Sequence, residues 1–129
     1  MQLFSILSVA SLFGGMLLFA GGFGAMAFKL LDKTVARSLI RDTFPFFYLY
    51  VLANSGVAVV LCYAVDQSAC ILLSLIFVTT IPNRQVLMPA INYAADTGNK
   101  KTWKILHGLS VMITLVHITF AGTALKFLI

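Results

Sequence analysis

Acidic residues are almost missing from this sequence. Asp32, Asp42, Asp66 and Asp96 are the whole set in 129 residues, and all charged residues together make up 10%. A soluble domain carries roughly 25%. The four acids sit at the ends of apolar runs or in the connections between them, so no paired carboxylates stand ready for acid–base chemistry. Cysteine is scarce as well: Cys62 and Cys70 are too few for a disulfide scaffold or a CxxC metal site. No GxSxG, P-loop or HExxH pattern occurs. A soluble-enzyme reading therefore has no anchor. The expectation leans away from an enzyme, with no catalytic residue, no metal-ligand set and no cofactor assigned.

What the chain has instead is apolar length. It is 60% hydrophobic with a mean hydropathy of +1.00. About 20 apolar residues cross a bilayer core. Four runs meet that length, over residues 3–28, 44–65, 69–91 and 105–125, so residues 1–129 are read as one transmembrane domain. The expected fold is all-α, a four-helix membrane bundle running up-down-up-down, and the expected location is a bacterial inner membrane. Ala25-Met26-Ala27 resembles a leader cleavage site, but the apolar run before it is too long and no basic residue precedes it, so it reads as a retained span.

The net charge of +5 does not point to nucleic acid. Lys29, Lys33, Arg37 and Arg41 lie in one connection; Lys100, Lys101 and Lys104 lie in another. Basic residues beside spans meet lipid headgroups and mark the cytoplasmic side. Loops one and three are therefore expected to be cytoplasmic and both termini extracytoplasmic. Lys29, Lys33, Arg37 and Arg41 recur every four residues, which predicts an interfacial amphipathic helix or an extension of the first span.

Small residues crowd the first run. Ala10, Gly14, Gly21 and Ala25 fall on one helical face, and such faces let helices approach closely in lipid. In the second run Pro45 is expected in the first turn, with Asp42 or Thr43 as cap. Phe47, Tyr50, Asn54, Val57 and Leu61 form its 3-4 seam, and Asn54 there reads as interhelical glue. Asp66, Gln67 and Ser68 make a short turn that puts Cys62 and Cys70 at similar depth. A disulfide is geometrically possible, and two free thiols are the expectation.

The third run holds the one charge that no loop accounts for. Asn83, Arg84 and Gln85 lie inside it between Pro82 and Pro89. A central Arg costs about 2.5–3.5 kcal/mol on insertion scales. Three successive polar residues wrap some 200° of a helix, so no single neighbour satisfies them. The prolines free the Val78 and Gln85 carbonyls, which predicts a kinked, locally hydrated segment in the inner leaflet. Arg84 can snorkel to headgroups, pair within the bundle or act functionally.

In the fourth run His107, Ser110, Thr114, His117 and Ala121 repeat at 3-4-3-4 spacing and should face the bundle. The two histidines are about 15 Å apart along the axis, too far to share a metal. By depth, Asn54, Ser55, Thr79, Thr80, Thr114 and His117 group near the midplane, and Tyr48, Tyr50, Arg84, His107 and Ser110 in the inner leaflet. Tyr48, Tyr50, Asn54, Arg84, His107, Ser110, Thr114 and His117 make up the candidate intramembrane polar site.

Residues 15–28, then Phe44-Pro45-Phe46-Phe47-Tyr48, Met88-Pro89-Ala90-Ile91-Asn92 and Leu106-His107-Gly108-Leu109-Ser110 resemble the transmembrane protein 205-like family, domain of unknown function 4149. The resemblance implies four spans. It places Pro45, Tyr48, His107 and Ser110 in the shared motif, and it transfers no catalytic role. The animal member is associated with platinum-drug resistance. Three functions follow as expectations: a protein handling or exporting a small solute, metal or drug; a haem- or quinone-binding redox protein using His117 and Arg84; and an accessory subunit of a membrane complex. The bilayer is the expected partner, with a homo-oligomer or membrane complex beyond it.

Overall fold

The computed structural model describes residues 1–129 and contains four long helices: α1 (Gln2–Leu30), α2 (Lys33–Cys62), α3 (Gln67–Asp96) and α4 (Lys100–Leu128). Each is long and apolar enough to cross a membrane. They form a ring in chain order, α1 against α2 and α4, and α3 against α2 and α4. The connections are short, which makes sequential helices antiparallel neighbours.

Each break has a local cause. Leu31 and Asp32 turn extended, with ψ of 157° and 146°. Tyr63–Val65 turn the chain before Asp66, whose carboxylate accepts from the Ala69 N–H at 2.7 Å and caps α3. Gly98 takes a φ of 70°, which a residue with a side chain rarely adopts, and Asn99 caps α4 by accepting from the Thr102 N–H at 3.2 Å.

The second helix begins earlier than the sequence suggests. Asp42 and Thr43 are not caps: α2 starts at Lys33, and the Thr43 hydroxyl donates to the Leu39 carbonyl at 2.6 Å. Pro45 is consequently an interior helix residue, not a first-turn one. The basic stripe from Lys33 to Arg41 is neither a separate interfacial helix nor part of the first span. It is the base of α2, because helical periodicity runs unbroken from Lys33 and the only interruption is at Leu31–Asp32. Gln67 and Ser68, expected in the turn, already belong to α3.

Two helices contain a widened π segment, Leu18–Phe23 in α1 and Asn83–Leu87 in α3. The second fills the interval between Pro82 and Pro89. Neither proline can donate backward along the helix, so the turn relaxes to a wider repeat, with the Met88 N–H reaching the Asn83 carbonyl.

The centre of the bundle is largely apolar. Val9, Leu12 and Met16 meet Phe47, Tyr48 and Val51, then Leu73 and Ile76, then Ala121, Ala124 and Leu128. In lipid such contacts hold by close packing and dispersion, since acyl chains are as apolar as leucine. Alanines on α4 let the helices approach. Most of the remaining surface is large apolar side chain, Leu3, Val60, Val86 and Met112 among them, which suits a bilayer. Cys62 is a buried free thiol, and Cys70 is a half-buried one.

Candidate functional site

The polar residues do not form one site. The structure divides them among three helix–helix contacts.

The first joins α1 to α2. Asn54 accepts from the Ser8 hydroxyl at 3.1 Å and donates to Ser11 Oγ at 3.2 Å. The Tyr50 hydroxyl donates to the Ser11 carbonyl at 2.5 Å. The Tyr50 ring lies over Gly15. Asn54 thus serves as interhelical glue, but it and Tyr50 sit at the edge of the bundle, and Val57 is exposed. The inward face of α2 is Phe47, Tyr48, Val51, Ser55, Ala58 and Cys62, one position round from the expected seam. Ser8 and Ser11 were not singled out in the sequence, although with Gly15 their 3-4 spacing marks one helical stripe.

The small-residue face of α1 is not buried within one copy of the chain. Gly14, Gly21 and Ala25 are exposed, and nothing lies within 4 Å of where a Cβ on Gly14 or Gly21 would stand. The helix turns Ser5, Val9, Leu12 and Met16 inward instead, about half a turn away. Larger apolar side chains fill the core, and the glycines are left facing out.

The second contact joins α2, α3 and α4. The Tyr48 and Ser110 hydroxyls pair at 3.1 Å. The Arg84 Nε donates to the Pro45 carbonyl at 3.3 Å, and its Nη1 to Gln85 Oε1 at 3.1 Å. Arg84 is thereby tied to α2 within the chain. Asn83, which sequence reasoning left unassigned, is only 3% exposed. It lies beside the Tyr48 hydroxyl, yet neither its Nδ2 nor its Oδ1 makes an aligned hydrogen bond.

The third contact joins α3 to α4: Thr79 Oγ1 and His117 Nε2 are 2.8 Å apart. The Thr79 hydroxyl also reaches the Leu75 carbonyl at 2.6 Å. A hydroxyl has one proton, and a carbonyl can only accept. The arrangement that serves both bonds has Thr79 donating to Leu75 and His117 donating from Nε2. Thr114 bonds locally, to the Ser110 carbonyl at 3.0 Å, and Ser55 and Thr80 likewise bond carbonyls one turn back at 2.6 Å. Depth alone had grouped these residues; rotation about each helix separates them.

His107 stands apart. It is exposed, stacked on Trp103 with ring centroids 4.7 Å apart. The stripe on α4 points inward only from Ser110 onward.

Beyond the apolar stretches, Arg41 and Asp96 form a two-pronged ion pair at 2.6 and 2.8 Å. The guanidinium holds the Asp96 carboxyl below its usual range, and the carboxylate raises Arg41 in turn. The bond ties the base of α2 to the end of α3.

A groove of about 770 Å³ runs between α3 and α4. Its walls are apolar, including Val86, Leu87, Leu109, Met112 and Phe120, and Asn83, Thr79 and His117 are its polar lining residues. A second hollow of about 620 Å³, on α3 near Tyr63, contains Cys70 and Ser74. Both of those already bond backbone carbonyls, of Val59 and Cys70. No cluster of three or more potential metal ligands occurs.

Comparison with curated proteins and with solved structures returned no match. A family model does match, over residues 7–100, taking in α1, α2 and α3 and their connections. With that span matched and four membrane-length helices around it, the chain belongs to the DUF4149 family, whose model describes a domain of unknown function.

Proposed function

We propose that this multi-pass membrane protein handles a small solute without catalysing a reaction, and that the solute occupies the groove between α3 and α4. The observation that supports this is the groove itself: its volume falls in the range of small-molecule sites, and its walls are almost wholly apolar. The bundle axis offers no such route, because Leu12, Met16, Val51, Leu73 and Ile76 fill it. Passage across the bilayer would therefore use the outside of one copy or the space between copies. Flux of a panel of metals and cationic or neutral drugs into proteoliposomes is the test. Uptake above protein-free vesicles, lost in Met112→Trp, is expected; no uptake or binding of any solute would overturn the reading.

Haem binding draws less support. His117 already spends Nε2 on Thr79, and His107 lies on the outside against Trp103.

A docking role has one observation in its favour. The outward glycine face of α1 suits another membrane helix, as in a homo-oligomer or a larger complex. Native mass spectrometry from mild detergent should then show an assembly that Gly14→Leu/Gly21→Leu dissolves. We also place both termini on the extracytoplasmic side. The basic connections favour this, and the Arg41–Asp96 bond is consistent with both lying on one face. A membrane-impermeant thiol reagent should label Lys101→Cys only after the cytoplasmic side is opened.

A further inference from the structure

Arg84 is a cation held in place by neutral groups only. Its Nε donates to the Pro45 carbonyl at 3.3 Å and its Nη1 to Gln85 Oε1 at 3.1 Å. The single ion pair of the chain joins Asp96 to Arg41, so no carboxylate pairs with Arg84. A guanidinium carries five N–H donors in one plane. Two are engaged, and Nη2 bonds nothing within the chain. That outer end is open: the Nη1–Gln85 bond lies at the protein surface, and Nη2 is not shut in.

The two bonds also fix where the guanidinium lies. Arg84 is about 18 Å along α3 from Asp96, which marks the charged base of the bundle. Pro45 is one turn from Arg41, the residue that holds Asp96. To reach Pro45, the Arg84 side chain runs back along the α2–α3 seam toward that base. Leu49 is the next residue on the same stripe of α2 and is 45% exposed, so the seam turns apolar immediately above. An immobilised cation between an apolar surface and a charged base is at the level where a phospholipid carries its phosphate above its acyl chains.

The donor set selects among headgroups. A guanidinium fork matches two oxygens of a phosphate, and such charge-assisted bonds are stronger than neutral ones. Because Pro45 and Gln85 already hold the side chain, little freedom is left to lose on binding. A zwitterionic lipid brings an ammonium as well, and the Asp96 carboxylate that could meet it is bonded to Arg41. An anionic lipid brings no second charge to satisfy.

We infer that Arg84 binds the phosphate of an anionic phospholipid on the α2–α3 seam, at one discrete site separate from the general attraction of headgroups to Lys29, Lys33 and Arg37. The site is on the α2 side of α3 and does not rest on the α3–α4 groove.

The test uses the full chain, delipidated in detergent, with phosphatidylglycerol and phosphatidylcholine of equal chain length. Native mass spectrometry follows the first lipid retained. Phosphatidylglycerol should be retained about tenfold better or more, the fold-change of hydrogen bonds to a charged group. Arg84→Gln should erase that preference, and Arg37→Gln, at the base, should leave it. A phosphatidylglycerol with a diazirine beside its glycerol should cross-link the wild type around Pro45 and Gln85, a readout that needs no variant to fold. Inorganic phosphate should not displace the lipid, since it lacks the acyl chains.

Equal retention of the two lipids would overturn the inference. So would a preference that survives Arg84→Gln, or one that Arg37→Gln removes as fully, because either makes it a property of the basic surface. Cross-links confined to the basic base would have the same force. Displacement by inorganic phosphate would reassign the site to a free anion and overturn the lipid. Solute flux enters none of these outcomes, so the groove reading stands or falls separately.

Discussion

The Tyr50 ring occupies the space that a side chain on Gly15 would need. Its hydroxyl is held there by the Ser11 carbonyl, one turn back along α1. The colliding atoms are the far end of the ring, and Tyr50 is 37% exposed, so the ring can swing outward. Gly15→Ala is therefore expected to cost the Tyr50–Ser11 bond, not the backbone: roughly 0.5–1.5 kcal/mol. Reversible unfolding in mixed micelles measures it. In a double-mutant cycle, Tyr50→Leu should absorb most of the penalty.

Thr79 and His117 should respond unequally to loss of the partner. With Thr79→Val the His117 Nε2–H is left with no acceptor in apolar surroundings, at a cost of about 1–3 kcal/mol. With His117→Leu the Thr79 hydroxyl keeps the Leu75 carbonyl, so the loss should stay below about 1.5 kcal/mol, the range of a volume-conserving change. Unfolding of the two variants side by side checks the order. The reverse order would mean that Thr79 donates to the ring.

The core should be sensitive where the lipid-facing surface is not. Leu73 is fully buried and Val86 is 67% exposed. Leu73→Ala should lower stability by about 2–5 kcal/mol through the cavity it leaves. Val86→Ala should stay within about 0.5 kcal/mol.

The Arg41–Asp96 pair gives an acid-side pH dependence. Asp96 has its carboxyl pKa depressed from 3.8 in the folded state. The stabilisation is thus fully present above that ordinary value and fades as pH falls through the depressed one. Thermal stability of the wild type should drop a little further than that of Asp96→Asn between pH 5 and pH 3. Salt should weaken the difference, because both groups are solvent-exposed.

Several features were legible from residue types alone. The short turn at Asp66 was one; that Asp66 caps α3 and that Asn99 caps α4 after Gly98 came from the structure. Pro82 and Pro89 announced a kinked segment; that it is a π turn depends on how the backbone shares its freed carbonyls. Pro45 misled, because a proline is more often found near a helix start than inside one, and only the continuous path from Lys33 shows otherwise. The glycine face of α1 is not used inside one copy of the chain. Small residues permit close approach but do not compel it, and the buried stripe of Val9, Leu12 and Met16 won the interior.

Hydropathy and length by themselves determined four membrane-crossing helices and their order, since a backbone in hydrocarbon must satisfy its own hydrogen bonds within each span. Which polar residues meet was decided only by the tertiary structure. A rotation of one residue is about 100° on a helix, enough to send Tyr48 to Ser110 and Tyr50 to Ser11. Rotation of α3 likewise decides that Asn83 is buried beside the Tyr48 hydroxyl, a fact no spacing in the chain could display.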